Sequence, residues 1–243
     1  MKIIKEIIES EGKKFTIVGF KFNIKEDGEI ISKLKNDGEE LAKKLNPVLA
    51  RDSSRKRNYK KVVSNAIAGE VSEFCWRYWI SRIAKKSNIK LELLKMDIDE
   101  KKNQIDIVIE YEDNQKKNAE VRSSFPYAGL RRAITTNFDI IGWYCNEVKI
   151  NEVKKEYYLR ALFPFNVNEF IDKLNDSFDV FLCGGATKKL LEESPHAKDK
   201  EFIPYDEIQE EDIKPTKYRV IEPIINGFDT DKITELIIKG VQE

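Results

Sequence analysis

Two acidic residues lie in a segment whose pattern predicts a β-hairpin. Asp106 belongs to the stretch 104–111 and Glu120 to the stretch 119–124, with a polar turn between them. Branched apolar residues alternate with polar ones on both sides of that turn, as they do in paired strands. Carboxylates on neighbouring strands provide the oxygen ligands that a hard cation such as Mg²⁺ prefers, and Mg²⁺ usually takes only one or two of them from the protein. We therefore expect a divalent cation site on this hairpin.

Length and composition favour a single elaborated domain. The chain has 243 residues, of which 41% are hydrophobic, and this is enough for one large core. We divide the domain into an N-terminal elaboration over 1–63, a core over 64–193 and a C-terminal elaboration over 194–243. The formal net charge is zero, so overall charge gives no information about a polyanionic partner.

Cysteine and histidine usage argues against a zinc site. The three cysteines, Cys75, Cys145 and Cys183, are far apart, and His196 is the one histidine. An odd number of cysteines with no Cys-x-x-Cys pair is typical of a reducing, intracellular setting. Because the first nine residues carry several charges and no apolar run approaches about 20 residues, we expect a cytoplasmic protein with no membrane partner.

A basic run lies between Arg51 and Lys61. It holds six basic residues and one acidic residue. Such a run, with hydroxyl and amide donors beside it, suits the phosphates of a nucleic acid, and a solvated surface segment is the alternative. The residues expected to contact phosphate here are Arg51, Arg55, Lys56, Arg57 and Lys60.

Hydrophobic periodicity predicts an α/β fold with a partly parallel sheet. Helices are expected over 2–10, 29–45, 64–85, 129–138, 166–175, 187–193 and 229–241. Strands are expected over 14–23, 91–96, 140–146, 157–165 and 178–183, in addition to the hairpin. Gly184-Gly185 is expected to end the last of these strands, 194–213 to form loop, and 218–225 to form an edge strand that tolerates Pro223.

The longest predicted helix carries two glutamates, and helix geometry distinguishes them. With Val71 at the centre of the apolar face, Glu70 lies about 100° away and Glu73 about 160° away, at about 100° per residue. Glu70 is therefore at the border of the core. This makes it the better candidate for a side chain that reaches a cleft.

Gly69-Glu70 on a helix, Asp106 on a first strand and Glu120-Val121-Arg122 on a second resemble the PD-(D/E)XK nuclease superfamily, which includes many type II restriction endonucleases. In that superfamily a helix bearing a glutamate precedes a hairpin that supplies Asp and then Glu-x-Lys. The resemblance extends over residues 64–124, about a quarter of the chain. The flanking regions show no such likeness.

This resemblance implies a restriction-endonuclease-like mixed β-sheet flanked by helices, and a Mg²⁺-dependent endonuclease that cleaves double-stranded DNA at specific sequences, commonly as a homodimer. Asp106, Glu120 and the carbonyl of Val121 would bind Mg²⁺, with Mn²⁺ as a substitute. Glu70 would support a ligand or a second ion. Two rival functions are a nuclease of the same fold with a repair or RNA-cleaving role, and a catalytically inactive nucleic-acid-binding module.

The third motif departs from the family pattern, because Arg122 occupies the place of the lysine. Arginine keeps its charge, so Arg122 can position water or phosphate but is unsuited to act as a general base. Alternatively, another lysine replaces the missing one, with Lys149 and Lys188 as candidates. A third possibility is an inactive site.

The residues that follow the second strand suit contact with a DNA backbone. Ser123 and Ser124 end the strand, and Arg131 and Arg132 begin the next predicted helix. Hydroxyl and guanidinium groups of this kind bind phosphate oxygens. A capping segment with exposed arginines is the alternative.

Overall fold

Two β-sheets and the helices packed on them form this protein, seen in a computed structural model that describes residues 1–44, 58–95, 105–126, 128–145, 153–202 and 216–243. The strands are β1 (Lys2–Ser10), β2 (Lys13–Asn23), β3 (Leu91–Lys95), β4 (Ile107–Tyr111), β5 (Lys116–Ser124), β6 (Ile140–Tyr144), β7 (Tyr157–Leu162), β8 (Ser177–Thr187), β9 (Ala197–Phe202) and β10 (Thr216–Ile221). The helices are α1 (Ile24–Lys44), α2 (Tyr59–Lys86), α3 (Leu130–Arg132), α4 (Phe170–Lys173), α5 (Lys188–Glu193) and α6 (Thr230–Lys239). A π-helical turn, Ala133–Asn137, continues α3.

The larger sheet has seven strands in the order β1-β2-β8-β7-β5-β4-β3, and the smaller has three in the order β6-β10-β9. In the larger sheet β5 and β7 are parallel, and every other neighbouring pair is antiparallel. A parallel pair needs a long crossover connection, which here contains α3 and β6. The predicted mixed α/β class is confirmed.

One face of the larger sheet packs against α2 and α6. Helix α2 has apolar residues on several sides, and Trp76, Trp79 and Ile80 are all buried in this core. Helix α1 covers another side of α2, which explains why α2 needs no single apolar stripe. A second core lies on the opposite face of the sheet, where β6, β10 and the π-helical turn pack. Among the described helices, none has the length and apolarity needed to span a membrane.

The prediction of a helix over 2–10 was wrong, because this segment is strand β1. Its isoleucines recur at helical spacing, but isoleucine is β-branched and suits a strand. Glu11 and Gly12 both adopt positive φ, 50° and 77°, which is the conformation of a two-residue hairpin turn. The turn pairs β1 with β2 from Ser10 and Lys13 onward. Ile8 is consequently buried while Ile7 is 61% exposed.

The glycine pair does not end β8 as predicted, since the strand runs on to Thr187. Gly184 has a φ of 72°, and the β7–β8 ladder shifts register between Leu159 and Ala161. This is a β-bulge, in which glycine supplies the positive φ. A Cβ at Gly184 would lie 2.1 Å from the carbonyl oxygen of Phe228, so no larger residue fits there.

Two predictions for the C-terminal region were also wrong. The segment 194–213 contains β9, whose largely charged sequence conceals a strand, and residues 203–215 lie outside the described part of the chain. Strand β10 is the centre of the smaller sheet and not an edge. It pairs on both sides until Ile221, and Pro223 follows after the pairing has ended.

The close contact of α1 with α2 at Gly38 gives a test of this packing. A Cβ at Gly38 would lie 2.6 Å from Cα of Ile67, whereas a Cβ at Gly69 would meet nothing within 4 Å. We expect Gly38→Ala to lower the free energy of unfolding by about 1–3 kcal/mol, since two backbones must separate. Gly69→Ala should raise it by about 0.5–1 kcal/mol through helix propensity. Urea unfolding measures both, and equal effects of the two substitutions would contradict the packing.

Candidate functional site

The hairpin of β4 and β5 brings Asp106 next to Glu120. Ile107 pairs with Ala119, so the preceding residue, Asp106, lies at the position across from Glu120. The backbone N–H of Asp106 donates to the Ala119 carbonyl at 3.1 Å. The side chain then turns back, and its Oδ2 accepts the N–H of Val121 at 2.7 Å. The three predicted metal ligands are therefore adjacent in the structure.

Alternation along β5 separates its side chains between the two faces of the sheet. Ala119 and Val121 belong to the core beneath α2. Glu120, Arg122 and Ser124 consequently lie on the opposite face, since successive side chains of a strand point to opposite sides. The smaller sheet covers this face. The rings of Tyr144 on β6 and Tyr218 on β10 have centroids 5.6 and 4.7 Å from the Arg122 guanidinium.

Glu120 is the centre of a group of buried charges. Its side chain is 5% exposed, and its Oε1 lies 2.6 Å from Nε of Arg122. Its other oxygen, Oε2, lies 3.3 Å from Nζ of Lys155, whose side chain is completely buried. We call Glu120, Arg122, Lys155 and the nearby Arg160 the buried charge cluster.

Lys155 is a residue that sequence reasoning missed. It comes two residues before β7, and β7 begins where Tyr157 pairs in parallel with Ala119. Just before the strand, the N–H of Glu156 donates to the Asn118 carbonyl at 3.0 Å, and this keeps Lys155 close to β5. Its backbone N–H donates to the Tyr158 hydroxyl at 3.0 Å. The one available signal was a lysine two residues before a strongly apolar strand. Its importance could be recognised only with knowledge of the β5–β7 pairing.

The two arginines of the cluster respond differently to burial. Burial lowers the pKa of Arg122, but the Glu120 carboxylate and the hydroxyls of Tyr218 and Tyr144 outweigh burial, so the net pKa is raised. For Arg160, burial and the neighbouring Arg122 charge lower the pKa to about 10. Both guanidinium groups therefore carry their charge at neutral pH.

Glu70 lies on the helical side of the sheet and not in the buried charge cluster. Its Oε2 makes a 2.7 Å ion pair with Lys95, which also binds Asp37 at 2.9 Å. Lys95 pairs across strands with Ile107, whose side chain is in the core beneath α2. Glu73, predicted to be farther from the core, is as buried as Glu70, with 2% and 3% exposure.

The residues predicted to contact phosphate at the end of β5 and in α3 do not lie together in the structure. Ser123 and Ser124 point to opposite faces of the sheet, and only Ser124 shares the face of Glu120. The Oγ of Ser124 accepts a hydrogen bond from Arg160 at 2.8 Å. Arg131 and Arg132 are exposed. The guanidinium of Arg131 donates to the Glu9 carbonyl at 2.6 Å, which holds it at the β1–β2 hairpin.

The basic run is only partly covered by the structure. Arg51, Arg55, Lys56 and Arg57 lie outside the described residues, as does Lys149. Lys60 is exposed in the first turn of α2, and its backbone N–H donates to the capping side chain of Asn58 at 3.0 Å. Helix α2 thus begins within the basic run, and Lys60 and Lys61 belong to its first turn.

Comparison of the chain with protein-family models, with curated proteins and with solved structures found no match. The function is therefore inferred from the geometry of this site. Within the described ranges, no group of three or more His, Cys, Asp or Glu side chains is arranged to hold a metal ion. The relevant donors are the two carboxylates of the hairpin.

Neutralising Glu120 tests whether the cluster depends on one carboxylate. Glu120→Gln removes the charge that Lys155 and Arg122 both pair with, so we expect the free energy of unfolding to fall by about 3–5 kcal/mol. Glu110→Gln on the same hairpin is the matched control. Glu110 pairs with the exposed Lys116 at 3.1 Å, and its loss should cost less than about 1 kcal/mol. Chemical denaturation compares the two, and a Glu120→Gln effect as small as the control would contradict this account.

Proposed function

We propose that this protein is a metal-dependent endonuclease with a restriction-endonuclease-like fold, which hydrolyses phosphodiester bonds of duplex DNA at specific sequences as a homodimer. The observation that carries the proposal is the 3.3 Å contact between buried Lys155 and the Glu120 carboxylate. Glu120-Val121-Arg122 lacks the lysine of the family pattern, and Lys155 supplies an ammonium group at the same carboxylate from the neighbouring strand.

The arrangement of elements supports the same proposal. Helix α2 with Glu70 precedes β3 and the hairpin, and the hairpin has Asp106 ahead of its first strand and Glu120 on its second. This is the order on which the resemblance depends. The two carboxylates are neighbours across the hairpin, as two ligands of one cation must be.

The donor atoms fit a hard divalent cation. Asp106, Glu120 and the carbonyl of Val121 offer oxygen ligands, and Mg²⁺ needs few carboxylates because it keeps several waters. The Oε2 atom of Glu120 is buried and lies 3.3 Å from the Lys155 ammonium, so a cation there would share this oxygen with Lys155. A bound Mg²⁺ or Mn²⁺ would lower the pKa of a coordinated water and neutralise charge that develops on the phosphate.

Lys155 and Arg122 take different roles in this proposal. Lys155 is a compact ammonium with three rotatable donors, so it can orient the attacking water beside Glu120. Arg122 keeps its charge throughout and positions the carboxylate and the phosphate. Lys188, the other candidate for the missing lysine, begins α5 and is not an ion-pair partner of Glu120 in the described part of the chain.

A second candidate is a catalytically inactive nucleic-acid-binding module. The observation that favours it is the 2.6 Å ion pair between Arg122 and Glu120, held under Tyr144 and Tyr218. A guanidinium fixed on this carboxylate competes with any cation for the same oxygen. The two candidates differ in one measurable property, which is metal-dependent cleavage.

Cleavage of plasmid DNA with Mg²⁺ or Mn²⁺, compared with the same reaction in EDTA, tests the proposal. Discrete metal-dependent fragments are expected, whereas a smear would indicate a non-specific nuclease and binding without cleavage would indicate the inactive module.

Asp106→Asn keeps an oxygen for the Val121 N–H but removes the charge. We expect it to lower the cleavage rate at least ~100-fold, the scale of losing one charge-stabilising group. Asp113→Asn in the hairpin turn is the control, and equal rates for both variants would refute the site.

Substitution of Lys155 tests its role separately. Lys155→Met should lower cleavage by about 100-fold or more while DNA binding in EDTA and the circular dichroism spectrum stay unchanged. Lys154→Met is the control, since Lys154 is exposed and lies 4.2 Å from the Trp143 ring centroid. Full activity in Lys155→Met would remove Lys155 from the mechanism. Arg122→Lys should retain measurable activity, because Lys155 already provides the ammonium group.

A further inference from the structure

Arg160 on β7 is a buried cation that makes no ion pair with a carboxylate among the described residues. The residue is 3% exposed, and its Nη2 donates to the Ser124 hydroxyl at 2.8 Å. Its Nε has no hydrogen-bond acceptor among the described residues. The nearest charge along the sheet is Arg122, which occupies the paired position on β5 and repels it. Burial of a charge without a partner lowers the folding stability, so we expect an arginine at such a position to have a functional role.

Asp139 is the buried carboxylate that acts on Arg160 from another direction, and its charge raises the pKa of the guanidinium. Its Oδ2 is bound by Lys200 at 2.8 Å, so this carboxylate is shared between two cations. The Phe138 ring centroid is 5.9 Å from the guanidinium carbon. Two other arginines have direct partners. Arg77 makes an ion pair with Glu73 at 3.3 Å, and Arg219 donates to the Leu191 carbonyl at 2.8 Å.

Arg122, at the paired position on β5, also has an N–H group without an acceptor. Its Nη2 is buried and has no acceptor in the described part of the chain. Arg122 makes an ion pair with Glu120, whereas Arg160 makes none with it within the described ranges. The two neighbouring guanidinium groups therefore present N–H donors that suit an anion.

We propose that Arg160, together with Ser124 and Arg122, binds a phosphate group. The planar guanidinium presents parallel N–H donors that match two phosphate oxygens, and the low dielectric of a buried site strengthens each charge-assisted bond. The Ser124 oxygen accepts from Arg160, so its own hydrogen is available to the phosphate. The proposed function is needed only to identify the source, which would be the backbone phosphate of a nucleic acid.

A metal-free titration with inorganic phosphate tests the site without reference to cleavage. The melting temperature of the full chain is followed in EDTA as phosphate replaces chloride at constant ionic strength. We expect the melting temperature to rise by about 5–10 °C at ~100 times the dissociation constant. Arg160→Met should abolish this rise, and its melting temperature in chloride should equal or exceed that of the unmodified protein, because an unpaired buried charge has been removed.

Arg82→Met, which changes an exposed arginine of α2, is the matched control and should keep the full phosphate response. A purely structural Arg160 predicts the opposite result, namely a lower melting temperature in chloride and an unchanged phosphate response. If Arg160→Met does not fold, Arg160→Lys replaces it and should raise the phosphate midpoint at least ~10-fold through loss of the paired donors. No phosphate response in the unmodified protein, or an unchanged midpoint in Arg160→Lys, would overturn the proposal.

A second arm distinguishes the sources of the phosphate. Binding of a short DNA duplex is measured in EDTA over a range of salt concentrations. A nucleic-acid phosphate at this site predicts that Arg160→Met reduces the salt slope by about 1. A phosphate response without any change in duplex binding would support a free-phosphate site and count against the nuclease proposal, while leaving the anion site in place.

Discussion

The parallel pairing of β5 with β7 determines which charges meet on the covered face of the larger sheet. Its register places Arg122 beside Arg160 and Glu120 beside Tyr158. An antiparallel or shifted pairing would bring other side chains to this position, because a shift of one residue reverses which face each side chain occupies. The ion pair between Lys155 and Glu120 and the hydrogen bond between Arg160 and Ser124 therefore depend on one strand contact.

The smaller sheet covers the charges on that face. This cover raises the free-energy cost of burying them and restricts the positions that their side chains can take. Tyr144 and Tyr218 pack on the Arg122 guanidinium and leave the side chain 18% exposed. In such surroundings an ion pair is strengthened by the low dielectric, but each charge has lost its hydration. The cover explains why one carboxylate, Glu120, matters so much to the two cations that pair with it.

Local pattern was sufficient for much of the fold and for part of the site. The hairpin, helix α2 and the adjacency of Asp106 and Glu120 follow from alternation and periodicity over short stretches, and the structure has all three. The errors occur where local signals conflict with tertiary structure. Isoleucines at helical spacing concealed β1, and the charged sequence of β9 has no apolar alternation to reveal it. Lys155 and Arg160 could not be found at all, since their importance arises from a strand that is about 35 residues away in sequence.

The bulge at Gly184 lies opposite Arg160, where two residues of β8, Cys183 and Gly184, face one residue of β7. Its effect is to reverse the alternation of side chains between the two faces of β8. Val180 and Leu182 contribute to the core beneath α2, but Ala186, although also an even-numbered residue, contributes to the core on the other side. A single inserted residue thus reverses which alternate residues of β8 face each of the two hydrophobic cores. Strand β8 stays paired in the sheet through this reversal. The reversal occurs beside the position of β7 that carries the buried Arg160 guanidinium.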